Sequence, residues 1–465
     1  MNTPDEKKTK REHELELAGP FLTVLALLTV VAFLLPMRPE TSMRERRKLR
    51  EFPVFSTESL LSGDWFDGIT AWFSDTFPGR EMMLDVSDRM EELHGLNRTE
   101  VVMNTVTAAD DTEDLDALIA QAEAESAART EAKDEKSPEP EPELEPESES
   151  ESMNPADPEE VIENWEGLNA EDEALMYGDL VLIDGTVLSR MGFDREAADH
   201  HAELMNRCGD ILAEKGIRFF NLPAPTSSSV LLSSDMLAEF GCADQGKTLR
   251  YMFAQENENV GKVNAFNKLL AHNSEYIYYH SDHHWTGLGA YYAYEEFCNT
   301  AGFAPVPLSE YQELNMGDFT GSWYWSVNPR KVTHDEMIAW VPPGNIRMEI
   351  PGSPKATTPI VDMTNAEPNM KYNCFINGDN AVTIITNDDL PNAPDCLVIK
   401  DSFGNPFAVY LTQHYHRVIV LDYRKNYTTV SKLAEQYGVS DVILVQSIGV
   451  SQSRSAMGIL DNLMK

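Results

Sequence analysis

The stretch CLVIKDSFGNPFAVYLTQHYHRVIVLD, residues 396–422, decides the fold. Its two ends, CLVIK and RVIVLD, are nearly all apolar, and PFAVYLTQHY between them has the composition of a helix. A third apolar run, DVILVQS (441–447), follows the helical pattern TTVSKLAEQYG. Strands without polar alternation are buried on both faces, and such strands separated by helices indicate a parallel sheet covered on both sides. Upstream, REAADHHAELMNRCGDILAEKG reads as a helix ending at Gly216, and IRFFNLPAP (217–225) as a strand running into a proline loop. The hairpin pattern GDLVLIDGTVLSR (178–190) turns at an Asp-Gly pair. EYIYYH (275–280), aromatic and β-branched, is expected to be a strand, and YMFAQENENVGKVNAFNKLLAH mostly helical. TGLGAYYAYEEFCNTAG begins with a capping Thr and ends near a Gly. Residues 306–395 read as loops and short strands inserted into an α/β core.

Parallel α/β sheets hold their ligands beyond the carboxyl ends of the strands. Two motifs are expected there: Asp401-Ser402-Phe403-Gly404-Asn405 after CLVIK, and Asp282-His283-His284-Trp285 after EYIYYH. A serine on a strand-to-helix turn projects from the sheet edge, with helix-start amides able to face an oxyanion. Gly404 and Asn405 are oxyanion candidates by proximity alone, and Gly404 permits close approach of a substrate. The plainer reading is that Ser402 caps the helix. A serine hydroxyl needs a base, and a histidine oriented by a carboxylate is the usual one. In extended chain, residues two apart share a face, so Asp282 can reach His284 while His283 points away. Trp285 then stacks on the site or packs in the core. The rival is a metal held by His280, Asp282 and His284, a ligand set suited to zinc or iron but lacking a fourth member and the HExxH spacing.

The formal net charge of −40 argues against nucleic-acid binding. Residues 107–160 hold twenty Asp and Glu against three Lys and Arg, and SPEPEPELEPESESES offers nothing to bury. This segment is expected to be a disordered acidic linker. The five cysteines show no CxxC or metal spacing and no disulfide framework. Residues 17–36, LAGPFLTVLALLTVVAFLLP, are long enough to span a bilayer and read as an uncleaved signal anchor after a tail at 1–16. Basic residues are denser after this span than before it, which leans towards a cytoplasmic C-terminal domain. Trp65, Phe66, Ile69, Trp72 and Phe73 recur at helical spacing, so 37–106 reads as a membrane-proximal helical segment packing on a main domain at 161–465.

SDHHWTGLGAYYAYEEF resembles the signature of the DHHW protein family, and VIKDSFGNPFAVYLTQHYHRVIVLDYR resembles its serine block. REFPVFSTESLLSGDWFDGITAWFSDTFPGR (50–80) resembles its membrane-proximal segment, with Asp75 to Arg80 as the D-x-F-P-x-R stretch, and FTGSW (319–323) a shorter block between the two. The acidic run at 107–160 has no counterpart. The family is similar to exported alginate O-acetyltransferases, whose domain is SGNH-hydrolase-like (flavodoxin-like, three layers) and whose D-x-H motif precedes the serine. The resemblance implies Asp282 and His284 as that pair and Ser402 as nucleophile, with no cofactor.

It further implies a membrane-anchored serine O-acyltransferase or esterase outside the cytoplasmic membrane, against the charge count. The acceptor would be a cell-envelope or secreted polysaccharide, and a multi-pass membrane acyltransferase would deliver the acyl group. A basic stretch beside the membrane is also suited to lipid headgroups. Trp323, Tyr324 and Trp325 are candidates for stacking on sugar rings, with ordinary packing as the plain alternative. Two other classes remain: a non-catalytic glycan-binding or scaffold protein, and a metal-dependent hydrolase.

Overall fold

The computed structural model describes residues 114–134, 165–168, 174–353, 359–362, 367–425 and 428–464, with scattered positions between 41 and 77. The chain divides into two compact units, Met1–Glu100 and Val101–Lys465. The expected span at 17–36 lies outside the described residues, among which no helix is long and apolar enough to cross a membrane. In the first unit Trp65, Ile69, Trp72 and Phe73 are helical, as their spacing predicts, and Phe52 meets Trp72 edge-on at 4.9 Å. Most of Asp75 to Arg80 lies outside the described residues.

The second unit begins with helix α1 (Leu115–Asp134), inside the segment expected to be disordered. The reason is legible in hindsight: LDALIAQAEAESAARTEAKD is built of good helix formers. Its Ile119 and Ala122 are buried against Tyr251 and Met252. Its acids meet bases on a later helix, Asp116 with Lys247 at 2.7 Å and Glu123 with Arg250 at 2.5 Å. The folded unit therefore starts well before 161, the boundary expected from composition.

Strands β1 (Leu175–Tyr177), β2 (Leu180–Ile183) and β3 (Thr186–Ser189) form an antiparallel sheet whose last turn is the expected Asp184-Gly185, both at positive φ. Helix α2 (Arg195–Ala213) leads into β4 (Arg218–Ala224). The segment expected to be mostly helical instead contains the end of α3 (Gln245–Gln255), strand β5 (Val260–Lys262) and α4 (Phe266–Ala271). EYIYYH is not a strand; Tyr278 makes one isolated bridge to Trp285. Helix α5 (Gly287–Ala301) is capped by the Thr286 side chain at Gly289 N and closed by left-handed Gly302.

The inserted region forms an antiparallel ribbon, β6 (Gln312–Phe319) and β7 (Asp335–Val341), and then β8 (Ile346–Glu349) and β9 (Val382–Asn387). The last two are not accessory, because they extend the main sheet. β10 (Asp395–Lys400), α6 (Gly404–Leu411), β11 (Arg417–Asp422), α7 (Val430–Tyr437) and β12 (Asp441–Ser447) follow as read from the sequence, and α8 (Arg454–Leu463), which was not read there, completes the core.

The main sheet runs β8–β9–β11–β10–β12–β4–β5. It is parallel from β11 to β5, with β8 and β9 antiparallel at one edge. Both faces are buried. Val398, Val420 and Val445 join a cluster with Phe297 of α5 and Phe407 of α6. Ile399, Leu421 and Leu444 join another with Leu204 of α2, Leu433 of α7 and Leu460 of α8. Numbered in chain order, the five parallel strands stand fourth, third, fifth, first, second across the sheet. Counted cyclically from β10 they stand 2-1-3-4-5, the doubly wound order, whose direction of winding reverses between the first and third strands. Here those are β10 and β12.

Two outcomes follow. Ile119→Ala should lower unfolding free energy by about 1–3 kcal/mol in a urea titration, whereas a disordered linker would leave the midpoint unmoved. His201 on α2 is fully buried beside Asn221, and burial pushes its pKa down from 6.5 to about 3. Between those values the unfolded chain binds a proton that the folded chain refuses. Stability therefore rises with pH across the window and is lost as pH falls below about 6.5. Urea midpoints measured from pH 7 to 4 should show this slope, and His201→Gln should flatten it.

Candidate active site

Ser402 lies two residues past the end of β10 and stands at the point where the winding reverses, beside the end of β12. The two strand ends are tied by Asp401. Its Oδ2 accepts from Ser447 N at 2.7 Å, its Oδ1 from Phe403 N at 2.9 Å. Burial pushes the Asp401 carboxyl up, against the pull of Arg424 and these two amides. Ser402 is half-buried and does not cap α6, whose N-cap position is Phe403.

The histidine loop arrives from the other side of the sequence, between α4 and α5. His284 Nε2 lies 2.6 Å from Ser402 Oγ, and His284 Nδ1 lies 2.5 Å from Asp282 Oδ1. Asp282 and His284 are essentially inaccessible, at 0 % and 1 %. The expected pairing is thus present, but not for the expected reason. The backbone at 280–284 is bent rather than extended, and His284 N donates to Asp282 Oδ1 at 3.1 Å, a local side-chain turn. His283 does not point away. Its ring lies 3.8 Å from that of His284, and its Nδ1 is 3.1 Å from Ser322 Oγ.

Three elements from the inserted region partner this loop, and two of them, Asp335 and Tyr372, carried no signal in their local sequence. Asp335 at the start of β7 accepts from His280 N and Ser281 N, each at 2.8 Å, from Tyr276 OH at 2.6 Å, and from the Ser281 hydroxyl. Burial alone would raise its pKa, but hydrogen bonds from His280, Ser281 and Tyr276 outweigh burial and hold it below the ordinary value. Tyr372 stacks on His284 with ring centres 4.0 Å apart and planes 15° apart, while its hydroxyl donates to Ser402 O at 3.0 Å. Burial raises the Tyr372 pKa well above 10, so it stays a donor. The FTGSW block is the third partner. Gly321 N donates to Ser281 Oγ at 2.9 Å, Ser322 N to Asp282 Oδ2 at 2.7 Å, and Trp323 N to Ser281 O at 2.9 Å. A Cβ on Gly321 would stand 2.2 Å from Ser281 O and 2.5 Å from Asp282 Cβ.

The other sequence candidates have different employment. Gly404 N donates to Asp401 O and Asn405 N to Ser402 O, so neither amide faces an oxyanion. The missing Cβ of Gly404 makes room for the Lys400 side chain, whose Cβ would lie 2.4 Å away, rather than for a substrate. Asn405 is buried and its Nδ2 donates to Asp379 Oδ1 at 3.1 Å. The N–H of Ser402 itself makes no hydrogen bond among the described residues and is the better oxyanion donor. Trp285 is fully buried and holds the serine turn, donating Nε1–H to Phe403 O at 3.0 Å. Trp323 is half-buried, 5.7 Å from the His283 ring. His280 is bound to Asp335 and not grouped with Asp282 and His284, so the ligand set of the rival metal reading is not assembled. The metal-type ligands that do converge are Asp282, His283 and His284, within 4.8 Å of one another.

Gly321→Ala should therefore displace the Asp282 loop. In chromogenic acetyl-ester assays we expect turnover lower by about 10²-fold, as for other misplacements of about 1 Å, with a modest loss of melting temperature.

No curated protein matches the chain. Among solved structures it is similar to a DHHW family protein from Eubacterium siraeum, with 22% identity, a TM-score of 0.57, and coverage of 64% of this chain and 100% of that one. Bacillus cereus PatB1 with a sulfonyl adduct is 17% identical with a TM-score of 0.50, over 61% of this chain and 98% of that one. The O-acetyltransferase domain of Pseudomonas putida AlgJ is 11% identical with a TM-score of 0.36, over 60% and 96%. The DHHW protein model matches residues 45–421, a span that takes in the loop at 282–285, the FTGSW clasp and the serine turn, and the chain belongs to the DHHW family.

Proposed function

We propose that this chain is an acyl-transfer enzyme of SGNH-hydrolase-like architecture, a serine O-acyltransferase or esterase acting on O-acetyl groups of a cell-envelope or secreted polysaccharide. The observation that carries the reading is the unbroken path from Asp282 through His284 to Ser402, at 2.5 and 2.6 Å. The cyclic 2-1-3-4-5 strand order supports it, because it puts the serine at the reversal point where open α/β sheets take ligands.

In the mechanism, Ser402 Oγ attacks the carbonyl carbon of an acyl donor as His284 Nε2 takes the hydroxyl proton. Asp282 holds the imidazole with its proton on Nδ1 and stabilises the imidazolium. The oxyanion forms against Ser402 N–H. Collapse expels the donor's alcohol or thiol, which receives the proton from His284 and leaves an acyl ester on Ser402. A sugar hydroxyl then gives its proton to His284 and attacks that ester; water in its place completes hydrolysis. In either case Ser402 is released with its proton restored. The reading includes an anchor over 17–36, an extracytoplasmic position for the domain and a multi-pass membrane acyltransferase as acyl source.

The cluster of Asp282, His283 and His284 favours one second reading, a metal-dependent hydrolase. Incubation with a chromogenic acetyl ester and with an aryl sulfonyl fluoride, followed by mass spectrometry, separates the cases. We expect acetyl and sulfonyl adducts on Ser402, and turnover lower on the order of 10³-fold or more in Ser402→Ala and His284→Ala with circular dichroism unchanged. Turnover kept in Ser402→Ala but lost on chelation selects the metal. Neither turnover nor adduct in the wild type selects a non-catalytic glycan-binding or scaffold role.

A further inference from the structure

A cleft of about 860 Å³ opens beside His280, and none of Asp282, His284 and Ser402 lines it. Its volume is that of a small-molecule site. Its ionisable lining is Glu166, Glu275, Glu336, His280 and His334, with no Lys or Arg. Hydrogen bonds from His272 and Tyr292 hold the Glu275 pKa down and keep that carboxylate charged. An anionic ligand is therefore repelled. A metal does not fit either, since among the described residues Asp282, His283 and His284 are the group within ligand reach of one another, and they lie elsewhere.

His280 is the organised element. Its Nδ1 is 2.9 Å from Asp335 Oδ1, which fixes the ring and leaves Nε2 without a hydrogen-bond partner among the described residues. Its ring lies nearly parallel to that of Tyr276, 5.2 Å away and tilted by 19°. The cleft thus combines carboxylates, a fixed imidazole, flat ring surface, and the polar side chains of Thr186 and Asn273. We propose that it binds a hydroxyl-rich saccharide bearing free amines, with the ammonium among Glu166, Glu275 and Glu336, a hydroxyl on His280 Nε2 and the sugar ring against the Tyr276–His280 pair. The cleft is separate from Ser402, and its occupancy does not depend on turnover there. Where acyl transfer also occurs, it gives a polysaccharide a second foothold.

The test is calorimetric titration of the full-length Ser402→Ala chain, which reads binding without catalysis. The probes are the glucosamine trimer, the N-acetylglucosamine trimer and trilysine. We expect the glucosamine trimer to bind most tightly, with the other two weaker. Glu166→Gln/Glu336→Gln, both at exposed positions, should weaken it about tenfold, the effect of two partly screened charges, with melting unchanged. The proposal is overturned if the glucosamine trimer does not bind, if the acetylated trimer binds as tightly, or if the double variant keeps wild-type affinity. Equal binding of trilysine also overturns it, by marking a surface for basic peptide.

Discussion

A buried carboxylate must be given donors or it will not stay charged, and the loop at 280–284 is shaped by that requirement twice. Asp282 is wholly buried and takes Ser322 N, His284 N and His284 Nδ1. Asp335, also buried, takes two amides, a serine hydroxyl, a tyrosine hydroxyl and His280 Nδ1. With both sets satisfied, the backbone between Ser281 and His284 has little freedom left. The rotamer of His284 is then fixed further by the Tyr372 ring on its face. In the role proposed for His284 such immobility would help, since a general base would not have to be oriented during the reaction.

The strand order explains why the D-x-H pair precedes the serine. In this chain the serine strand is β10 and the cyclic last strand is β5, followed through α4 by the loop at 280–284. Beginning the chain at the cyclic fourth strand leaves every neighbour in place and only exchanges which motif is read first. Geometry is preserved because hydrogen bonding across the sheet depends on spatial neighbours, not on where the chain starts.

Much of this was legible because it is local. The apolar runs at 396–400, 417–422 and 441–447 have one stable use, as strands buried on both faces. Thr286 and Gly302 mark the ends of α5 by capping chemistry. The triad could be proposed because serine after a buried strand and Asp-x-His are each rare enough to notice. What failed were readings in which tertiary contacts outweigh propensity. EYIYYH has strand composition, but Tyr276, Tyr278 and Tyr279 spend their hydroxyls on Asp335, Pro225 and Met337, and the segment packs as an irregular wall. β5 is three residues in a helical pattern, and its Gly261 leaves space for the Phe220 ring, 2.4 Å from where a Cβ would be. Helix α1 was hidden because its charge was averaged with the Glu-Pro run behind it, while its basic partners Lys247 and Arg250 lie more than a hundred residues on.

The residues whose part in the site escaped notice share an origin. Gly321, Ser322, Asp335 and Tyr372 all come from the region between α5 and β10, which composition marked only as an insertion. The sheet alone can present Ser402, since that needs only a strand, a turn and Asp401 bridging to Ser447. It cannot hold the base, because the loop at 280–284 pairs with no strand of the main sheet. The insertion supplies what the sheet lacks: amides for Asp282, a carboxylate for His280 and Ser281, and an aromatic face for His284. It also sends β8 and β9 back to the sheet edge, which anchors it at both ends. Ser402 is thus positioned by the core and His284 by the insertion, and the 2.6 Å contact between them measures how closely the two fit.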